Sequence, residues 1–265
     1  ALEARGFAVV DMTNLGPAEA LTGALLADVV DVAWLDTGQA LARFAEGLDD
    51  LDPAQAAVAA YVRAREAAAG GPRWLACAPA EVGLGLAYSG NPDSAGLGHG
   101  LNLAAAAPAS IDALGPLLDA AQGEPIVALP RAFSESGWDA LAAAYGLPAG
   151  RLHLKHSALD DAAIDLSVGN ADLAIISKAA PEIDLLDLRL LDVPQGAFWR
   201  ASLCPVVRDE VAERFPDVVE VAERLAAGLS LARLRAMVSK TQYLGEPAER
   251  VARQVLSELG LLSAR

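Results

Sequence analysis

The feature that most constrains this chain is an alternation. From Phe7 to Val207, short apolar runs take turns with stretches whose apolar residues recur at helical spacing. Strands that alternate with helices build a sheet covered by those helices, so an α/β fold is expected. Strands are predicted at Phe7–Asp11, Val29–Trp34, Trp74–Ala78, Gly83–Tyr88, Pro125–Leu129, Arg151–Lys155, Ala171–Ile176, Asp187–Asp192 and Leu203–Val207. Helices are predicted at Pro17–Ala27, Gln39–Glu46, Pro53–Ala69, Ser110–Ala121, Ser136–Tyr145, Ala158–Val168, Arg208–Arg214, Asp217–Ala227, Ser230–Lys240 and Pro247–Leu259. Pro17, Pro53 and Pro247 suit a first helical turn, where the missing N–H costs nothing. Gly146 and Gly260 suit helix C-termini. Ser89–Gly100, with four glycines and no period, reads as a surface loop. After Arg208 only helical spacing remains. A sheet-bearing middle followed by a helical tail fits a chain that leaves one lobe, builds a second and returns to the first.

Composition narrows the partners. With 20 Lys and Arg against 35 Asp and Glu, the 265-residue chain carries a net charge of −15. Such a polyanion repels phosphate backbones and anionic lipid, so no nucleic-acid partner is expected. Hydrophobic residues make up 54% and charged residues 21%, a globular balance over a length suited to about two domains. No run is long and apolar enough to span a membrane. No basic stretch followed by an apolar one opens the sequence.

Most catalytic signatures are absent. Gly83-x-Gly85 lacks the third glycine of a dinucleotide fingerprint and sits inside a predicted strand. Neither a G-x-x-x-x-G-K-[ST] loop nor a G-x-S-x-G elbow occurs, and no cofactor is expected. His153-Leu154-Lys155-His156 is the one histidine cluster. On a strand, His153 and Lys155 share a face and His156 takes the other. These residues leave two readings open. Either they are polar strand-end residues at a surface, or His153 or His156 is the base of a hydrolase or transferase built around an α/β cleft. No metal site is expected, because too few ligands gather and Asp160 and Asp161 read as a helix start. Cys77 and Cys204 form no C-x-x-C pair, which excludes a zinc ribbon or a thioredoxin-like site. Polar and aromatic residues do collect just after predicted strands, where α/β sheets bind ligands: Trp34 to Gln39, Glu81, Phe133 to Trp138, Ser177, Lys178, and Phe198 to Ser202.

The same loops carry a family likeness. It lies in Leu15–Gln39 (LGPAEALTGALLADVVDVAWLDTGQ), in Asn170–Asp184 (NADLAIISKAAPEID) and in Ala201–Leu262. The last stretch includes Cys204-Pro205-Val206-Val207-Arg208, Arg214-Phe215-Pro216, and Pro247-Ala248-Glu249-Arg250-Val251-Ala252 running to Gly260-Leu261-Leu262. Trp74–Tyr88 and Phe133–Leu147 add intermediate segments. Together they resemble the substrate-binding proteins of ABC importers for glycine betaine, choline, carnitine and related osmoprotectants.

The resemblance implies a two-lobe, type II periplasmic-binding-protein-like fold, with a ligand cleft between lobes and two crossover hinge strands near Cys77 and Cys204. Residues 1–77 and 205–265 would form one lobe, and 78–204 the other. It implies a monomeric extracytoplasmic protein, periplasmic or anchored as a lipoprotein. That protein binds a small zwitterionic or quaternary-ammonium solute, docks on a membrane permease and catalyses nothing. A sensor, or a decayed binding domain without transport, is the other use such a cleft allows. The resemblance also implies that Cys77 and Cys204 lie side by side, where an extracytoplasmic compartment permits a disulfide; two unrelated buried thiols are the alternative. The resemblance places Ala1 to Gly6 at the end of the family's first helix, so the family's first strand is expected to be absent or diverged beyond recognition, and its absence would leave a sheet edge open.

The departures from the family concern the ligand. The family cages a quaternary ammonium with Tyr and Trp rings, whose faces attract a cation that cannot be hydrogen-bonded. Here Asp36 precedes Thr37-Gly38, and the expected tyrosines are replaced by Leu84, Ser177 and Ala201. Asp36 and Glu81 supply negative charge, and Lys178 and Arg200 positive charge. The Arg200 guanidinium is a fork suited to a carboxylate. Thr37, Gln39, Ser134, Ser136, Ser177 and Ser202 add hydrogen-bonding groups, and Trp138 and Trp199 offer flat apolar walls. This set suits a small zwitterion with hydrogen-bonding ends better than a fully methylated cation.

Overall fold

The computed structural model describes residues 1–12, 18–38, 59–64, 71–94, 101–130, 133, 135–193, 198 and 201–262. The strands are β1 Val32–Asp36, β2 Arg73–Trp74, β3 Leu84–Ser89, β4 Ile126–Pro130, β5 His153–Ser157, β6 Leu173–Ser177, β7 Leu188–Leu190 and β8 Leu203–Val207. Among the described residues they form one three-stranded and one five-stranded sheet. By its contacts the chain divides into two compact units, Ala1–Val82 with Trp199–Arg265, and Gly83–Phe198.

The first unit is built on the three-stranded sheet, in the order β1-β8-β2, with β8 antiparallel to both neighbours. The alternation in Val-Ala-Trp-Leu-Asp decides its two faces. Ala33 and Leu35 are buried with Leu25 and Val30, at and just after the end of helix α1 (Ala18–Leu26), and with Trp74 and Val206. Val32 packs on the other face with Leu75, Val207 and Val218. Trp34 joins Ala78, Ala80 and Leu229. The expected helical tail is present: helices at Asp209–Arg214, Pro216–Gly228, Leu231–Gln242 and Ala248–Glu258 follow Val207, with no strand among the described residues. Pro216, not Pro247, opens a helix from its first turn; Pro247 stands one position earlier, as a cap.

Phe7–Asp11 is not a strand. Phe7 packs beside Val32 and edge-on to Phe215, at 5.8 Å between ring centroids, while Val9 and Val10 are exposed. An apolar run becomes a strand only where a neighbouring strand takes its hydrogen bonds, and none is described beside it. β1 starts at Val32, later than the predicted Val29. The Val29 and Val30 N–H groups still donate to the Ala24 carbonyl of α1, and Asp28 turns the chain at φ 57°. The predicted helix Gln39–Glu46 lies outside the described residues, and of Pro53–Ala69 only 59–64 are described, as helix. Pro17 and Pro53 are likewise outside them.

The second unit holds the five-stranded sheet, order β5-β4-β6-β3-β7. β5, β4 and β6 run parallel, and β3 runs antiparallel to β6 and β7. Leu86, Tyr88, Val127, Leu129, Leu173 and Ile175 face one core with Leu114, Leu118 and Trp138. Ala87, Ala128, Ala174 and Ile176 face the other, where small side chains let Ala162, Ala163 and Leu166 approach closely. Strands covered on both faces read as unbroken apolar runs, which is why β3, β4 and β6 are plain in the sequence. Gly146 and Gly260 take the left-handed φ of 61° and 65° expected at helix C-termini.

The units part at Val82–Gly83 and Phe198–Trp199, beyond the limits at 77/78 and 204/205 that the resemblance implies. The reason is a ladder that outlasts the strands. The Ala78 N–H donates to the Leu203 carbonyl at 2.7 Å, the Val82 N–H to Ala201 at 2.7 Å, and Glu81 bridges Ser202. Cys77 and Cys204 are joined by a disulfide, with Cα atoms 4.0 Å apart.

Candidate functional site

In the first unit, four of the expected residues meet at one end of the sheet. Asp36 is the last residue of β1 and stands opposite Leu203. Thr37 follows, and its N–H donates to the Ser202 carbonyl at 3.1 Å. The Ser202 N–H donates back to Thr37 Oγ1 at 3.2 Å. Glu81 bridges Ser202 from the other side. Ser202 is thus gripped between β1 and the outgoing chain, and the Cys77–Cys204 bond lies two residues away. Thr37 is buried and Asp36, Glu81 and Ser202 are half-buried. Thr37 therefore holds backbone at this end, whereas Asp36, opposite Leu203, and Glu81, opposite Ser202, stand at the same sheet end on opposite faces.

In the second unit, Ser177 ends β6 and Lys178 follows it. Ser177 stands opposite Leu84, and its Oγ accepts the Ala179 N–H at 3.2 Å. The Lys178 N–H donates to the Gly83 carbonyl at 2.9 Å, tying the start of β3 to the end of β6. Trp138 does not offer a wall. It is fully buried in the core of the second unit, on the helix Glu135–Ala144, and its Nε1–H has no hydrogen-bond partner. Helical spacing from Trp138 to Leu141 and Ala142 turns this face inward, so the ring is core. Ser136 lies in the first turn of that helix, where only the backbone is described. Gln39, Ser134, Trp199 and Arg200 lie outside the described residues.

The residues expected from the sequence do not include an aromatic pair. Phe133, just past β4, and Phe198 approach to 5.9 Å between centroids at a 45° tilt. Both stood among the loop residues read after strands, but nothing in their spacing pairs positions so far apart.

His153 and His156 are exposed on β5, an edge strand. Between them, Lys155 Nζ pairs with Asp165 at 2.8 Å, and Ser157 Oγ donates to the same carboxylate at 2.8 Å. Burial would raise the Asp165 pKa; the bonds from Lys155 and Ser157 and the Lys155 charge outweigh it and hold the carboxyl below its ordinary value. This cluster ties β5 to the helix Leu159–Ser167. Among the described residues, no group of three or more His, Cys, Asp or Glu converges to hold a metal. An open pocket of about 300 Å³ in the first unit is lined by Leu25, Leu26, Asp28, Arg208, Asp209 and Glu213, and by none of the expected site residues. It lies at the Val207 end of β8, away from Asp36, and Arg208 within it pairs with Asp28 and Asp31 at 3.1 and 3.2 Å.

A family model described as the substrate binding domain of ABC-type glycine betaine transport systems (OpuAC) matches residues 1–258. Among curated proteins no match was found. Of the solved structures, apo YehZ from Escherichia coli is 23% identical with a TM-score of 0.74, over 98% of this chain and 91% of that one. A glycine betaine/carnitine/choline ABC transporter structure is 13% identical with a TM-score of 0.77, over 92% and 85%. Lactococcal OpuAC, in its closed form with glycine betaine, is 14% identical with a TM-score of 0.57, over 98% and 88%. At these identities the structures speak for the fold, which is α/β and type II periplasmic-binding-protein-like.

Proposed function

The chain belongs to the substrate binding domains of ABC-type glycine betaine transport systems, and from that membership we propose that it captures a small zwitterionic or quaternary-ammonium solute between two lobes and delivers it to the membrane permease of an importer. The family binds solute and leaves its bonds intact, so no catalytic residue is assigned. The protein works outside the cytoplasmic membrane, periplasmic or tethered as a lipoprotein, and as a monomer. One lobe is centred on residues 1–77 and 205–265, the other on 78–204, and the solute closes them about the two chain crossings near Cys77 and Cys204.

One observation supports the solute class: charge is divided by unit. Asp36 and Glu81 gather at a sheet end of the first unit, while Lys178 follows β6 in the second. An ammonium that keeps N–H donors forms a charge-assisted bond to the Asp36 carboxylate, and a carboxylate is met by Lys178 and Arg200. Ser177, Ser202, Thr37, Gln39, Ser134 and Ser136 complete the polar lining, and Trp199 supplies an apolar face. A zwitterion with hydrogen-bonding ends fits this division better than a fully methylated cation.

Titration calorimetry with unmethylated amino acids, glycine betaine and choline tests the reading. Saturable binding of a zwitterion is expected, weakened about tenfold or more by Asp36→Ala and by Lys178→Met. At a concentration 100 times its Kd, that solute adds about 2.7 kcal/mol to folded-state stability. Binding of glycine betaine or choline that ignores Asp36→Ala and is abolished by Trp199→Ala would replace the charged site by an aromatic cage. Failure of every solute in the panel would overturn the reading.

A further inference from the structure

We propose that Gly85 is a positioning residue that sets the path of the Lys178 side chain and, through it, discrimination in favour of solutes that carry a carboxylate. The proposal rests on the reading of Lys178 as a site residue given above.

The starting point is a glycine where a strand gains nothing from one. Gly85 is the second residue of β3, a strand buried along most of its length and hydrogen-bonded on both sides. Glycine inside a strand costs backbone entropy and packs nothing, so it marks either an unusual conformation or a close approach. The conformation is ordinary, since Gly85 is not among the glycines with positive φ. The approach is close. A Cβ at position 85 would stand 3.3 Å from Lys178 Cγ, 3.5 Å from Lys178 Cε and 3.1 Å from Leu190 Cδ2.

The register explains how Lys178 arrives there. Gly85 stands opposite Ile176 across the β3–β6 pair, which puts Lys178 two residues farther on, at the diagonal position on the same face. The Lys178 backbone is anchored by its bond to the Gly83 carbonyl. From that anchor the methylene stem crosses β3 over the one residue that has no side chain. A lysine stem laid along a surface keeps its ammonium at the end of a defined path. Ser177, the preceding residue, belongs to the opposite face, so the space over Gly85 is shared by Lys178 and Leu190 and not by Ser177.

Any side chain at 85 lifts this stem. Alanine displaces it by a few tenths of an ångström, and valine displaces it further without opposing strand conformation. Two readouts test the proposal. The first needs no solute: mass spectrometry follows the acylation rate of Lys178 Nζ in wild type and Gly85→Val, with the other lysines as internal controls. A severalfold change confined to Lys178 is expected, and an unchanged rate overturns the proposal. The second is calorimetry with glycine betaine and choline, which share a trimethylammonium and differ in the carboxylate. Gly85→Val is expected to weaken glycine betaine about tenfold, the worth of one charge-assisted hydrogen bond, and choline by less than about twofold. Equal loss of both overturns the proposal in favour of a general disturbance. Adding Leu190→Ala relieves the second contact; recovery of glycine betaine binding in the double variant assigns the effect to Leu190 and also overturns it. Should Gly85→Val not fold, Gly85→Ala carries the same measurements with the same signs. If wild type binds neither of these methylated solutes, an unmethylated amino acid that it does bind and the amine lacking that carboxylate replace the pair, with the same signs expected; if it binds no solute of the panel, the solute reading fails, and the acylation rate alone decides whether Gly85 positions Lys178.

Discussion

The two sheets solve the same problem with different means. The inner strands β3, β4 and β6 of the five-stranded sheet bury both faces, and Leu86, Val127, Leu129, Leu173, Ile175 and Ile176 are all completely inaccessible. The three-stranded sheet of the first unit has two edge strands, one of only two residues, and carries a disulfide between its central strand and the outgoing chain. A wide sheet is held by its own core; a narrow one needs its chain crossings held together. The carboxylates of the proposed site lie at the end of the narrow sheet, where the disulfide and the Thr37–Ser202 bonds fix the backbone.

The comparison can be broken most forcefully in the second unit. Trp138→Ala is expected to cost about 3–5 kcal/mol, because the cavity left by a fully buried indole cannot collapse. Trp138→Phe keeps most of the ring and removes an N–H that has no partner, so its loss should be clearly smaller. Denaturant titration measures both, and equal losses would mean that the indole N–H is bonded after all.

Removing the disulfide probes the first unit. The Cys77→Ala/Cys204→Ala pair is expected to lower stability by about 2–5 kcal/mol. Hydrogen exchange should then quicken in β1, β2 and β8 and stay unchanged in β4 and β6. Equal quickening in both sheets would show that the second unit leans on the staple too.

The Lys155–Asp165–Ser157 cluster sharpens the picture of the wide sheet at its β5 edge. Asp165→Asn is expected to cost about 1–3 kcal/mol at neutral pH, since the partly buried ion pair loses its carboxylate. The sign of the pH dependence follows from a folded-state pKa below the ordinary value of 3.8. The contribution is complete above the ordinary carboxylate range and is lost as pH falls through the depressed folded value. Acid titration of stability in wild type and Asp165→Asn should therefore converge at low pH; parallel curves would dissociate the cluster from stability. The smallest effect belongs to Arg5, which pairs with Glu220 at 2.8 Å on the exposed face of the first unit. Arg5→Ala should leave the Tm unchanged in salt, and a clear drop would give the N-terminal turn a larger share in the narrow sheet than a surface pair supplies.

Much of this was legible in residue order. The apolar runs at Leu84, Ile126, Leu173 and Leu203 name strands because strands buried on both faces, or central in a sheet, admit no polar residue. The helical tail after Arg208 follows from spacing alone, since side chains at helical period need no distant partner to declare themselves. The collection of polar residues after strands placed Asp36, Thr37, Glu81 and Ser202 as candidates, and these four share one sheet end. What failed depended on partners. Phe7–Asp11 has the composition of a strand and, among the described residues, no neighbouring strand to pair with. Trp138 has the composition of a ligand wall, but the face it occupies is decided by the sheet its helix packs on.

Residue order by itself determined the α/β class, the strands of the second sheet and the helical end of the chain, because periodicity is a property of neighbours. Only the tertiary structure decided that Cys77 meets Cys204, that Phe133 meets Phe198 and that Lys178 crosses Gly85. Each of these joins positions far apart in the chain, and the distance between them is set by strand register and packing, which no local pattern encodes.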